Sequence, residues 1–90
     1  MKCMESYNLN HSLMNLPHTL LLRMQTETIE QIDKKGENVN ISFYYFYDNS
    51  NKNNAEVMQV ATWWIEKHNL PHFVKAVVIL ELIETELKNL

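Results

Sequence analysis

One tripeptide, Asn69-Leu70-Pro71, constrains this chain more than any other feature. It separates two stretches that each carry apolar residues at helical spacing. Proline is tolerated in the first turn of a helix, where its missing N–H is an orphan in any case, and not in the interior. The last third, from about Asn53 to Leu90, therefore reads as two helices joined by a tight turn. On the first helix Val57, Met58, Ala61, Trp64 and Ile65 form one stripe, widened by Val60 and Trp63. Asn53 is expected to cap it, with Glu56 as the capping-box partner three residues on. Lys67 and His68 fall at its C-terminal end, where the helix dipole favours positive charge. Asn69 is expected in the left-handed conformation that ends many helices. From Phe73 to Ile83 only Lys75 and Glu81 are charged, so the second helix should be buried nearly all round.

That apolar excess meets a limit of size. A chain of 90 residues buries only about 60–65% of its unfolded surface, and small domains usually need a disulfide, a metal or a partner. Cys3 is the only cysteine, which excludes a disulfide within the chain and fits a reducing compartment. No ligand cluster for a metal is apparent. A second chain is what remains, and a homodimer is the expectation.

The tetrapeptide that contains the break occurs twice, as Asn15-Leu16-Pro17-His18 and Asn69-Leu70-Pro71-His72. Both copies read as helix starts. Residues 1–14 are polar and mixed and read as a flexible N-terminal arm; 15–90 form a single small domain. Read as a helix, 18–35 carries Leu21, Leu22, Met24, Ile29 and Ile32 on an apolar face and Gly36 at its end, and helix is favoured over about 25–35. Residues 19–24 fit either a strand or a helix. Val39 to Tyr47 reads as a strand: Val39, Ile41, Phe43, Tyr45 and Tyr47 alternate with Ser42, Tyr44 and Phe46, and both faces carry large rings. Asp48 to Asn54 is a polar loop. The fold class is then α+β: mostly helical, running helix, aromatic strand, C-terminal helical hairpin, as a dimer.

Gly36 is the only glycine, against eleven asparagines, so Asn38, Asn69 and the 49–54 cluster are expected to take glycine's place in turns. The Asn, Ile, Lys and Tyr bias suggests an AT-rich genome, such as a low-GC bacterium, phage or plasmid. There is no apolar stretch of membrane-spanning length and no secretory leader. A cytoplasmic protein is the expectation.

Few residues offer chemistry. His68 and His72 stand four apart, but Asn69-Leu70-Pro71 destroys the shared helix face that two metal ligands would need. Glu81 and Glu84 share a face, as a solvated pair would. One glycine rules out the common phosphate-binding loops, and no nucleophile elbow is present. No cofactor, metal site or enzymatic activity is expected. The aromatics are the sharpest residues, because Trp and Tyr dominate interface hot spots. Tyr44, Phe46, Trp63 and Trp64 are the candidate partner-binding residues. Net charge is −3, which disfavours approach to nucleic acid.

Thr19-Leu20-Leu21-Leu22-Arg23-Met24, followed by Thr26-Glu27-Thr28-Ile29-Glu30-Gln31-Ile32-Asp33, resembles the ribbon-helix-helix repressors. The resemblance implies a strand that dimerises, a following helix, and Arg23 as a reader of DNA bases. It covers about fifteen residues and departs from the family where Val39–Tyr47 replaces the second helix. The leading expectation is a small non-enzymatic regulatory module that binds and occludes a protein partner. A dimeric DNA-binding regulator of ribbon-helix-helix type is the alternative.

Overall fold

The computed structural model describes residues 9–47 and 54–88. All regular structure among them is helical. Helix α1 covers residues 9–14, α2 His18–Lys35, α3 Asn54–Glu66 and α4 His72–Lys88. Two short 3-10 turns, Gly36–Asn38 and Phe43–Phe46, lie between α2 and α3. The α+β expectation is therefore overturned: the protein is a small four-helix globule.

The reversal rests on Val39–Tyr47. Val39, Ile41 and Phe43 are buried, which is the alternation of an extended chain. The next buried residue is Phe46, three further on, and Tyr44, Tyr45 and Tyr47 are exposed. The period thus changes from two to three within the segment, as the chain passes from extended backbone into a 3-10 turn. No second strand exists among the described residues to complete a ladder. Instead the turn closes on itself, with Tyr45 N–H donating to Ser42 O (3.1 Å) and Tyr47 N–H to Tyr44 O (2.9 Å). Expecting rings on both faces of a strand counted Tyr45 and Tyr47 as inward; the turn carries them outward.

Helix α2 runs without interruption through 19–24, so the ribbon that the repressor resemblance requires is helix. Its buried face is Leu20, Leu21, Met24 and Thr28, with Ile32 packed beside the core. Leu22 and Ile29, expected inside, are exposed. Thr28 takes an inward position because its Oγ1–H donates to Met24 O at 2.7 Å, which leaves its hydroxyl satisfied. Gly36 ends the helix at φ 53°, ψ −122°, backbone that side-chain-bearing residues rarely adopt, with its N–H on Ile32 O.

The C-terminal helices lie where the punctuation places them. The α3 core positions Val57, Val60, Ala61 and Trp64 follow i, i+3, i+4, i+7, while Ile65, expected on that stripe, is exposed. Helix α4, expected to be buried nearly all round, buries Lys75, Ala76, Ile79 and Ile83 and leaves Phe73 and Val74 exposed. Helix α4 packs on α2, and α3 packs on the Phe43–Phe46 turn. Asn69 does not take the left-handed conformation, nor does Asn38: no described residue but Gly36 has positive φ. Leu70 N–H closes the turn on Lys67 O at 3.0 Å, and Pro71 O accepts Lys75 N–H at 3.1 Å. The cap expected from Asn53 lies outside the described residues. At the other end of the molecule, residues 9–14 are helical, with Leu9 and Leu13 buried, so the arm expected over 1–14 is already part of the globule from residue 9.

Candidate interaction surface

The four aromatic candidates separate into two groups. Phe46 and Trp64 are buried, at 4% and 5% exposure. The Phe43 ring joins them, 6.2 Å from Phe46 and 5.6 Å from Trp64 between centroids. They build the core under the aromatic turn and are not available to a partner. Trp63 is half-buried, and its indole N–H finds no hydrogen-bond partner among the described residues. Only Tyr44 is exposed.

Trp64 also organises the junction between α3 and α4, which pack on the Phe43–Phe46 turn and on α2 respectively and little on one another. His72, at the start of α4, stacks on it at 5.3 Å and 19°. The Lys75 ammonium stands 4.6 Å from the Trp64 ring centroid and donates to Trp64 O at 2.7 Å. That carbonyl belongs to the last turn of α3, so a buried cation from α4 satisfies it and meets the negative end of the α3 dipole. Removal from water holds the Lys75 pKa below the ordinary lysine value. Sequence reasoning assigned the helix-end charge to Lys67 and His68. Lys75 was visible as a lone cation in an apolar run, and that was the available signal.

Two shallow hollows flank Tyr45, which is 76% exposed and edge-on to Phe46 at 5.9 Å. One, of about 310 Å³, is formed with Leu22, Arg23 and Phe46; the other, of about 250 Å³, with Asn40, Ile41 and Ser42. Glu27 borders both. Arg23, the supposed base reader, lies with its guanidinium 5.5 Å from the Phe46 ring centroid and forms one wall of the first hollow. Beside the second hollow the extended backbone is open at Asn40. Asn40 is exposed, and neither its N–H nor its C=O is engaged in a hydrogen bond among the described residues, while Val39 and Ile41 on either side are buried. Tyr45 and Asn40 were not singled out as partner-binding residues, because the exposure of Tyr45 depends on the change of period at Phe43; Leu22 was expected on the inward face of its helix and is exposed.

A larger hollow, of about 590 Å³, lies between α1 and α3, with Leu9, Ser12, Met58, Gln59 and Trp63 on its walls. The Ser12 hydroxyl donates to the Gln59 side-chain carbonyl. An amide does not take up a proton, so this pair does not make a nucleophile. No group of three or more His, Cys, Asp or Glu side chains converges among the described residues. No helix among them is long and apolar enough to cross a membrane.

The geometry is that of a small helical globule with an exposed tyrosine turn and one exposed residue, Asn40, in the extended backbone before it. A family of unknown function (DUF6500) matches residues 31–83, from the end of α2 through most of α4. The match spans more than half of the chain, and the protein belongs to that family. No curated protein and no solved structure is significantly similar to it.

Proposed function

We propose that this protein is a non-enzymatic, cytoplasmic interaction module that binds and occludes an extended, basic segment of a protein partner. The observation that carries the reading is the exposed backbone of Asn40, unbonded among the described residues, beside hollows on both sides of Tyr45. An extended peptide laid beside Asn40 would bond to its N–H and C=O as an added strand does. Alternate side chains would then enter the hollows, an apolar one against Leu22 and Phe46. Glu27 at the second hollow, whose described lining holds no Lys or Arg, and the chain's net charge of −3 favour a basic residue there, while Arg23 on the wall of the first leaves that hollow to the apolar one. Tyr45 and Tyr44 supply rigid rings with a hydroxyl at the tip, which is hot-spot chemistry.

The test is selection from a random peptide library on the whole protein. The expected winners are extended sequences pairing an apolar with a basic residue. Their binding should fall by more than about tenfold, about 1.4 kcal/mol, in Tyr45→Ala, and by less in Glu27→Gln. Winners that bind Tyr45→Ala as tightly as wild type, with both proteins equally stable to urea, would overturn the reading. So would a selection that yields no binder.

A further inference from the structure

Helix α4 carries a second apolar stripe that the core does not use. Ala76, Ile79 and Ile83 face inward, with Val78 and Leu82 packed beside them. Phe73, Val77 and Leu80 recur at steps of four and three along the adjoining flank, about a quarter turn from the buried face, the spacing by which one helix meets another. Phe73 is 36% exposed and its neighbour Val74 is 41% exposed. Val77 and Leu80 are half-buried and lie outside the set of side chains packed on the core. Beyond Leu80 the same side turns acidic, with Glu81 and Glu84.

We infer that two copies of this chain pair through this stripe, with their α4 helices antiparallel about a two-fold axis near Val77. The argument for a second copy is charge. The first turn of α4 contains no acidic residue, and the N-terminal end of a helix favours negative charge. An antiparallel copy brings its Glu81 and Glu84 towards that end. A parallel copy would set Glu81 beside Glu81. The apolar stripe is also self-complementary in this sense: Val77 meets Val77, and Phe73 meets Leu80 of the other copy. An isologous contact of this kind closes at two chains. It leaves the tyrosine turn out of the contact set, so the inference stands independently of the partner-binding reading.

The experiment measures mass in solution and cross-linking. Wild type should sediment as two chains. Val77→Glu, which sets two carboxylates across the axis, should sediment as one chain with unchanged far-ultraviolet circular dichroism. Val77→Ser, a milder change, should weaken the dimer by roughly tenfold or more, since two buried valines are lost per pair. In a Cys3→Ser background, Val77→Cys should form a disulfide-linked dimer on oxidation, and Phe73→Cys should not. A wild-type chain that stays monomeric overturns the inference. So does a Val77→Glu protein that remains dimeric, or linkage through Phe73→Cys as efficient as through Val77→Cys.

Discussion

At Asn15-Leu16-Pro17-His18 and at Asn69-Leu70-Pro71-His72 the chain leaves one helix and enters another through the same four residues. In both copies the proline carbonyl accepts an early bond of the new helix, from Leu20 and Leu21 N–H at 3.0 Å in the first and from Lys75 N–H at 3.1 Å in the second. The anchors differ. In the first copy Leu16 is buried and His18 is exposed. In the second Leu70 is only half-buried, and His72 lies flat on Trp64. The tetrapeptide thus encodes a break and a restart. What holds the restart in place comes from the surroundings: an aliphatic core around Leu16, and an aromatic and cationic cluster around Trp64.

The comparison breaks most severely at Trp64, which serves the second junction and the aromatic turn together. Trp64→Ala removes the surface on which His72, Phe43 and Lys75 all rest. The expected loss is about 3–5 kcal/mol, read from urea unfolding. The next test sets the two leucines side by side. Leu16→Ala should cost about 2–3 kcal/mol, because Leu16 is 5% exposed. Leu70→Ala should cost less than about 1 kcal/mol, because less of Leu70 leaves water on folding. Equal losses would mean that the two junctions are anchored alike, against the geometry.

The same contrast explains what the sequence made legible. Proline breaks and helical spacing are local properties, so the start of α4 could be read directly, as could Val57, Ala61 and Trp64 on the core face of α3. Ile65, placed on the same stripe, is exposed, and the run of α2 through 19–24 stayed open. The fate of Val39–Tyr47 is not local. Its residues favour extended backbone, and whether they form a strand depends on a second strand to bond with, which the described chain does not supply. Phe46 and Trp64 were selected as hot spots for their size, and size equally suits a core; burial alone separates the two. Thr28 and Lys75 went inside because each found a backbone carbonyl, on Met24 and Trp64 respectively. Such pairings have no signature in spacing. The exposure of Leu22 and Ile29 is the other side of the same substitution, since Thr28 holds a place on the buried face that an apolar count would not give it.

Lys75 sharpens the second junction through pH. Lys75→Met keeps an unbranched stem but removes the ammonium, the bond to Trp64 O and the contact with the ring. At neutral pH the loss should be about 1–2 kcal/mol, because an unpaired buried carbonyl is offset in part by the release of a buried charge. The pH dependence has a defined sign. Burial lowers the folded-state pKa from 10.5, so the unfolded chain binds the proton more tightly. Wild-type stability therefore gains from this group as pH rises from the folded-state pKa towards the ordinary lysine value. Urea unfolding across the alkaline range should show that gain in wild type and not in Lys75→Met. A parallel course for the two proteins would mean that the folded structure does not depress the Lys75 pKa.

The smallest effect separates the two histidines, and it isolates the anchoring from the break. Both stand at the first position of a helix after proline, so replacing either with alanine changes the backbone preference alike. His18 is exposed. His72 has its ring stacked on Trp64 at 5.3 Å, an arrangement worth about 0.5–1.5 kcal/mol between aromatic groups beyond the area buried. His72→Ala should therefore cost about 1 kcal/mol more than His18→Ala. In a Trp64→Phe background the difference should shrink, because the smaller ring offers His72 less to stack on, while His18→Ala should be unaffected. If the difference survives that change intact, His72 owes its effect to the helix start itself. The two copies of the tetrapeptide would then be equivalent after all.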